Sequence, residues 1–109
     1  MTHKHPFMIG NEWREAAHTL PVINPYSQEA FAEVCLAGTP EIEEAIALAV
    51  KAFEKSRILP TYMRSRICLQ IAQGIEDRKE EFAETISKES GKPLLYSRAE
   101  VARSVSTFR

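Results

Sequence analysis

Four consecutive segments after residue 38 place apolar residues three or four positions apart, which is the spacing of one face of an α-helix. The first segment carries the clearest start signals, because Thr39 can cap a helix and Pro40 suits its first turn. A capping box built on Thr39 would need Glu or Gln at position 42, where the sequence has Ile42. We expect this helix to end before Pro60. Its predicted apolar face comprises Ile42, Ala45, Ile46, Ala49 and Phe53.

Recognisable breaks separate the next two helical segments. A second helix is predicted from about Thr61 to Asp77, and the helical pattern continues over residues 80–90 after a kink near Arg78. Gly91 is well placed to stop this helix in the left-handed conformation, and Pro93 prevents its continuation. The second helix carries a row of apolar residues four positions apart: Met63, Ile67, Ile71 and Ile75.

The last amphipathic segment begins at Leu94 and reaches Arg109 with no Gly, Asn or Pro to stop a helix. A stripe cut off in this way indicates a sequence that continues. We therefore expect residues 1–109 to be the N-terminal part of a longer protein. The stripe comprises Leu94, Val101, Val105 and Phe108.

Short apolar runs separated by turn residues precede the helices and predict a β-rich head. Gly10 and Asn11 between apolar flanks indicate a tight hairpin that joins Phe7–Ile9 to residues 13–15. Asn24–Ser27 has turn composition. A third strand is expected over residues 30–36 and should be closed by the glycine that follows.

The sequence thus predicts an α+β chain with a β head over residues 7–37 and a helical body of about four helices over residues 39–109. At 109 residues it is one domain or part of one. Burying the core stabilises the fold by an amount similar to the free energy that ordering the chain costs. We therefore expect the chain alone to be marginally stable or to dimerise through helix faces. The core is expected to be formed by apolar side chains of the β head and of the helices. They are Phe7, Ile9, Trp13, Phe31, Val34, Ile42, Ile46, Ala49, Phe53, Ile67, Ile71, Ile75, Phe82, Ile86 and Val105.

Charge and hydropathy exclude several partners. The net charge is −1 and no basic stripe is visible, so we expect no nucleic-acid partner. No apolar run is long enough to span a membrane, and the N-terminus lacks the pattern of a signal peptide. We therefore expect a cytoplasmic protein whose two separate cysteines, Cys35 and Cys68, are reduced.

The sequence gives little support to any candidate nucleophile or metal ligand. His3 and His5 could bind a metal, but they lack a third ligand and stand on a terminus that we expect to fray. Cys35 lies in a predicted strand with no histidine near it in sequence. Cys68 lies in a predicted helix, where packing in the core is the better interpretation than a thiolate activated by Arg64 or Arg66.

Phosphate and dinucleotide loops are missing from the sequence. Gly91 and Lys92 resemble the end of a P-loop, but Ile86 and Pro93 stand where that motif needs Gly and Ser or Thr. The four glycines, at positions 10, 38, 74 and 91, cannot form a G-x-G-x-x-G loop. The acidic residues that occur in pairs are adjacent in sequence. Because adjacent residues do not face each other on a helix, these carboxylates do not predict an acid–base pair. We predict no catalytic, cofactor-binding or metal-binding residue in this chain.

Six short segments nevertheless resemble the aldehyde dehydrogenase superfamily in order and spacing. Residues 7–13 are similar to its opening hairpin, and residues 24–29 to the Asn-Pro turn that follows. Segments in residues 44–53 and 64–72 resemble its first two helices. The sequence Glu-Ser-Gly-Lys-Pro at 89–93 resembles the family's Glu-x-Gly-Lys-Pro segment, and Glu100, Val101, Thr107 and Phe108 resemble the helix after it.

The resemblance implies the N-terminal part of an α/β cofactor-binding domain within an enzyme several times longer. Such an enzyme oxidises an aldehyde to an acid through a cysteine thiohemiacetal, with hydride transfer to NAD or NADP and hydrolysis of the thioester. The family's catalytic and cofactor motifs lie downstream, so we expect this segment to be inactive and to bind no cofactor by itself. Its expected partners are the remainder of its own chain and, for the whole enzyme, identical subunits.

The finer assignment rests on one run of residues. The sequence at 97–104 resembles the branch that acts on lactaldehyde, or on glyceraldehyde 3-phosphate without phosphorylation. Ser56 and Leu94 depart from residues common in the family, a Trp and an acidic or small residue respectively. The alternative hypothesis is a free-standing helical module that presents its apolar stripes to a partner helix.

Overall fold

A computed structural model of the chain describes residues 3–109, in which short strands precede four helices and so confirm the predicted fold class. The described residues form two compact units, one of residues 3–23 and 28–58 and the other of residues 24–27 and 59–109. The strands are β1 (His3–His5), β2 (Phe7–Ile9), β3 (Glu12–Arg14), β4 (Thr19–Ile23) and β5 (Ala30–Cys35). The helices are α1 (Thr39–Ser56), α2 (Thr61–Asp77), α3 (Lys79–Ser90) and α4 (Leu94–Phe108).

The first unit contains two small sheets and α1. The hairpin β2–β3 is antiparallel and pairs Met8 with Trp13, with Gly10 at φ 61° in its turn, as the sequence predicts. The other sheet has the strand order β1-β5-β4, in which β5 pairs in parallel with β1 and antiparallel with β4.

Two of these strands correct the sequence interpretation. The terminus that carries His3 and His5 was expected to fray, but it forms β1 and pairs along β5. Strand β4 was not predicted, because Pro21 interrupts its strand signal. Proline is tolerated there because β4 lies at the edge of its sheet, where one side of the strand needs no ladder partner.

Helix α1 begins one residue earlier than its sequence signals suggest. Gly38 is the N-cap, and its N–H donates to the Glu41 carboxylate at 3.0 Å. The prediction with Thr39 as cap was therefore wrong by one position, which also explains why Ile42 did not fit a capping box. The helix ends at Ser56, before Pro60 as expected.

The second unit matches the predicted helices closely. Helix α2 ends at Asp77, and Arg78 interrupts the helical backbone with φ −112° before α3 begins. Gly91 adopts the left-handed conformation at φ 76° and its N–H donates to the Ser87 carbonyl at 2.9 Å. The predicted turn at residues 24–27 is present, with the Tyr26 N–H donating to the Asn24 side chain at 2.9 Å.

Small side chains form much of the core. In the second unit α4 packs against both α2 and α3, and the fully or nearly buried residues are Ala72, Ala83, Ser97, Val101 and Val105. In the first unit they are Ile9, Ala32 and Cys35. Of the predicted core only Ile9 and Val105 are buried. The following predicted core residues are instead exposed: Trp13, Ile42, Ile46, Ala49, Phe53, Ile67, Ile71 and Phe82.

The burial pattern has a simple physical reason. Helical periodicity identifies residues that share a face, but it does not say whether the partner of that face lies in the same chain.

The left-handed stop between α3 and α4 gives the first prediction. Gly91→Ala should lower the free energy of unfolding by about 1 kcal/mol, because a Cβ is unfavourable at positive φ and would lie 3.4 Å from Pro25 Cβ. Gly74→Ala is the matched control inside α2, where an added Cβ meets nothing within 4 Å. It should raise stability by roughly 0.5–1 kcal/mol. Urea unfolding followed by circular dichroism measures both, and equal effects would contradict this account.

Candidate functional site

An open groove of about 720 Å³ lies between the β2–β3 hairpin and α1 in the first unit. Ile9, Leu48 and Ala49 give it an apolar floor, whereas Glu12 and Lys55 belong to its charged rim. An open apolar groove with a charged rim is suited to holding another segment of polypeptide.

One ion pair fixes the hairpin against α1 at the edge of this groove. Both terminal nitrogens of Arg14 donate to the Glu44 carboxylate at 2.5 Å, and one of them also reaches Glu12 at 3.3 Å. The hydrogen bond from Arg14 lowers the pKa of Glu44, and the same bond raises the pKa of Arg14. Both groups therefore stay charged at neutral pH, so the pair holds structure and does not transfer protons.

A second ion pair closes the turn between α3 and α4. Lys92 Nζ donates to Glu100 at 2.5 Å, and this hydrogen bond lowers the pKa of Glu100. The Lys92 N–H donates to the Ser90 hydroxyl at 3.2 Å. The Gly-Lys segment is thus a helix stop whose lysine is paired with a carboxylate.

A smaller groove of about 290 Å³ lies in the second unit. Arg98 crosses it and donates from both Nε and a terminal nitrogen to the Glu80 carboxylate, which raises the pKa of Arg98. Val101 and Ala102 supply its apolar wall. Its charged groups neutralise each other, and its walls bring no nucleophile together with a base.

Cys35, Cys68, His3 and His5 are the candidate nucleophiles and ligands that the sequence offers. Cys35 is buried, whereas Cys68 is exposed, so the prediction that Cys68 packs in the core was wrong. His3 and His5 lie with their ring centres 4.5 Å apart. Within residues 3–109 no three side chains of His, Cys, Asp or Glu are grouped to hold a metal ion.

No helix in the described part of the chain is long and apolar enough to cross a bilayer.

The residues present do not fit a dinucleotide. In the described chain the glycines lie at a hairpin turn, two helix ends and a helix interior. Gly38 alone among them lies between a strand and a helix, β5 and α1, and its N–H donates to the Glu41 carboxylate at 3.0 Å, so it is not free to bind a phosphate.

Exposed apolar side chains form a face on each of two helices, α1 and α2. The α1 face consists of Ile42, Ile46 and Phe53, which are 51%, 54% and 59% exposed. The α2 face consists of Met63, Ile67 and Ile71, all more than a third exposed. Because folding leaves these large side chains in water, each face is suited to pack against further polypeptide.

The comparisons with known proteins identify the class. Residues 13–109 match the model of the aldehyde dehydrogenase family, so the chain belongs to that family. It is 39% identical over 90 residues to the lactaldehyde dehydrogenase of Methanocaldococcus jannaschii, a match that covers 83% of this chain and 19% of that protein.

Solved structures agree with this assignment. Aldehyde dehydrogenase 21 from Physcomitrella patens, in complex with the reaction product succinate, matches with a TM-score of 0.95 and 29% identity, over 99% of this chain and 23% of that one. The glyceraldehyde-3-phosphate dehydrogenase GapN from M. jannaschii, complexed with NADP, matches with a TM-score of 0.80 and 39% identity, over 87% and 20%. The chain thus spans about a fifth of the length of the relatives it matches.

The Arg14–Glu44 pair predicts a specific dependence of stability on pH. Its contribution should be present above the ordinary Glu pKa of 4.5 and be lost as pH falls through the lowered pKa of folded Glu44. Arg14→Gln should therefore destabilise the chain at neutral pH, and the difference from the parent should shrink towards about pH 3. Lys79→Gln, which removes an exposed pair with Glu76 at 3.5 Å, is the control and should have little effect. A difference that stays constant with pH would contradict this assignment.

Proposed function

We propose that this chain is the N-terminal segment of an NAD(P)-dependent aldehyde dehydrogenase and is inactive by itself. The observation that supports this most is that residues 13–109 match the family, although the chain spans only about a fifth of the length of its relatives. Oxidation of an aldehyde to an acid would then be carried out by residues outside this segment. The cofactor, NAD or NADP, would likewise be held outside it.

The proposed role of the segment is structural. Its faces on α1 and α2 would pack against the remainder of the enzyme, and the Arg14–Glu44 pair would keep the hairpin in place beside α1. Burying large side chains that are now about half exposed would stabilise the assembled enzyme, since each contributes up to roughly 1.5–3 kcal/mol on full burial.

The proposed substrate class is a small 2-hydroxyaldehyde. The relatives at 39% identity are named for lactaldehyde and for glyceraldehyde 3-phosphate, which both carry a hydroxyl beside the aldehyde carbon. The 29% identical aldehyde dehydrogenase 21, solved in complex with its reaction product succinate, has nearly the same structure over this segment. The backbone of this segment therefore does not select the substrate, and the support for the substrate class is the sequence similarity.

A chimera tests the proposed role. This chain should replace the matched N-terminal segment of the M. jannaschii lactaldehyde dehydrogenase and preserve NAD(P)-dependent oxidation of lactaldehyde, measured as NAD(P)H absorbance. The same enzyme without that segment, and this chain alone, should be inactive. Formation of NAD(P)H by the isolated chain, or a folded but inactive chimera, would refute the proposal.

Substitutions on the α1 face of the chimera test the proposed role more specifically. Ile42→Ser with Ile46→Ser should lower the activity of the chimera by about tenfold to a hundredfold, because a misplaced scaffold disturbs the reacting geometry. Ala47→Ser lies outside the α1 face, about 100° around the helix from Ile46, and is the control that should retain activity. Equal activity of the two variants would show that the α1 face is not a packing surface.

A further inference from the structure

The histidine pair on β1 is a feature that the proposed function does not use. His3 and His5 are both exposed, and they are two residues apart on a strand, so their side chains project from the same face. Their imidazole rings lie edge to face with ring centres 4.5 Å apart. The strand thus brings together two nitrogen ligands of the kind that transition metals prefer.

The backbone beneath this pair is held in place. His3 pairs with Ala32 and His5 pairs with Val34 in the parallel ladder between β1 and β5. The ordering cost of a chelating pair is therefore limited to the two side chains, because the backbone is already fixed by folding.

The charged residue between the two histidines in sequence, Lys4, does not share their face of the strand. Lys4 alternates to the opposite face, where its ammonium group lies 3.8 Å from the Glu15 carboxylate. Its positive charge is directed away from the imidazoles and is partly balanced. A cation at the imidazole pair therefore meets little repulsion from the residue between them.

The spacing of the rings fits one bound ion. Two imidazoles bound through nitrogen to a tetrahedral Zn²⁺ at about 2.0–2.1 Å have ring centres roughly 5 Å apart. The rings now lie edge to face with centres 4.5 Å apart, so both side chains would turn to other rotamers to direct a nitrogen at one ion. The remaining two positions of the ion would be filled by water.

We propose that His3 and His5 form a two-histidine site for a divalent transition-metal ion of the Zn²⁺ type. This site lies on β1 and is independent of the oxidation chemistry proposed for the whole enzyme. Binding of the ion requires both imidazoles on the same face of β1, and the alternation of side chains along the strand places them there.

Zinc titration of the 109-residue chain, followed by calorimetry, tests the proposal with Zn²⁺ itself as the probe. We expect one ion per chain, and an affinity that is at least about tenfold weaker in His3→Ala and in His5→Ala, because each removes one of two ligands. His18→Ala removes the third histidine of the chain and should leave the affinity unchanged.

A composition-matched variant separates strand geometry from histidine content. Lys4→His combined with His5→Lys keeps the same side chains but places the two imidazoles on opposite faces of β1. It should bind Zn²⁺ no more tightly than the single-histidine variants. Affinity equal to that of the parent, or a loss of affinity in His18→Ala as large as in His3→Ala, would overturn the proposal.

Folding of each variant is checked by a second readout. Zn²⁺ should raise the unfolding midpoint of the parent and of His18→Ala, since an ion bound to β1 stabilises the folded strand. It should not raise the midpoint of His3→Ala, His5→Ala or the exchanged variant. A zinc-dependent rise in all five proteins would place the ion elsewhere and contradict the assignment.

Discussion

The close approach of α3 and α4 depends on side chains small enough to let the two helices meet. Ala83 on α3 and Ser97 on α4 are fully buried, and the hydroxyls of Ser87 and Ser97 lie 2.7 Å apart, within hydrogen-bonding distance. This contact satisfies the buried hydroxyl of Ser97, which would otherwise be costly in an apolar setting. A larger residue at either buried position would push the helices apart, since the distance between packed helices follows the size of the side chains at the contact.

Packing through small residues leaves the larger ones outside. Phe53, Ile42 and Ile67 remain about half in water, although each belongs to a regular apolar face. A chain with this distribution buries few of its large apolar groups, so its ordering cost is only partly offset by its own contacts. The distribution supports the proposed role as a segment that completes its packing against further polypeptide, as does its share of about a fifth of the relatives' length.

Sequence reasoning located the helices well because their boundaries carry local chemistry. Pro60 and Pro93 restrict the backbone directly, and Gly91 adopts the left-handed conformation at little cost, so the structure places helix ends beside all three. The N-terminus of α1 was displaced by one residue because Glu41 reaches back to the Gly38 N–H, a bond that a search for a Ser or Thr cap overlooks.

The strands and the core were harder to predict for physical reasons. Strand β1 has no apolar alternation and exists because β5 supplies a partner distant in sequence. The direction in which an apolar face points depends on what packs against it, and periodicity contains no information on that partner. The exposure of Cys68 was missed because a helical cysteine beside apolar residues usually packs inside the core. The prediction that the chain has no catalytic or cofactor residue of its own stays a prediction.

The parallel pairing of β1 with β5 has a consequence for the order in which the chain is made. His3 is synthesised before its ladder partner Ala32, which follows only after the β2–β3 hairpin and β4 have been added. The hairpin can close on itself as soon as it leaves the ribosome, whereas β1 waits as an unpaired strand. Strand β1 is therefore translated before the other four strands of its unit but is among the last of them to gain its hydrogen bonds.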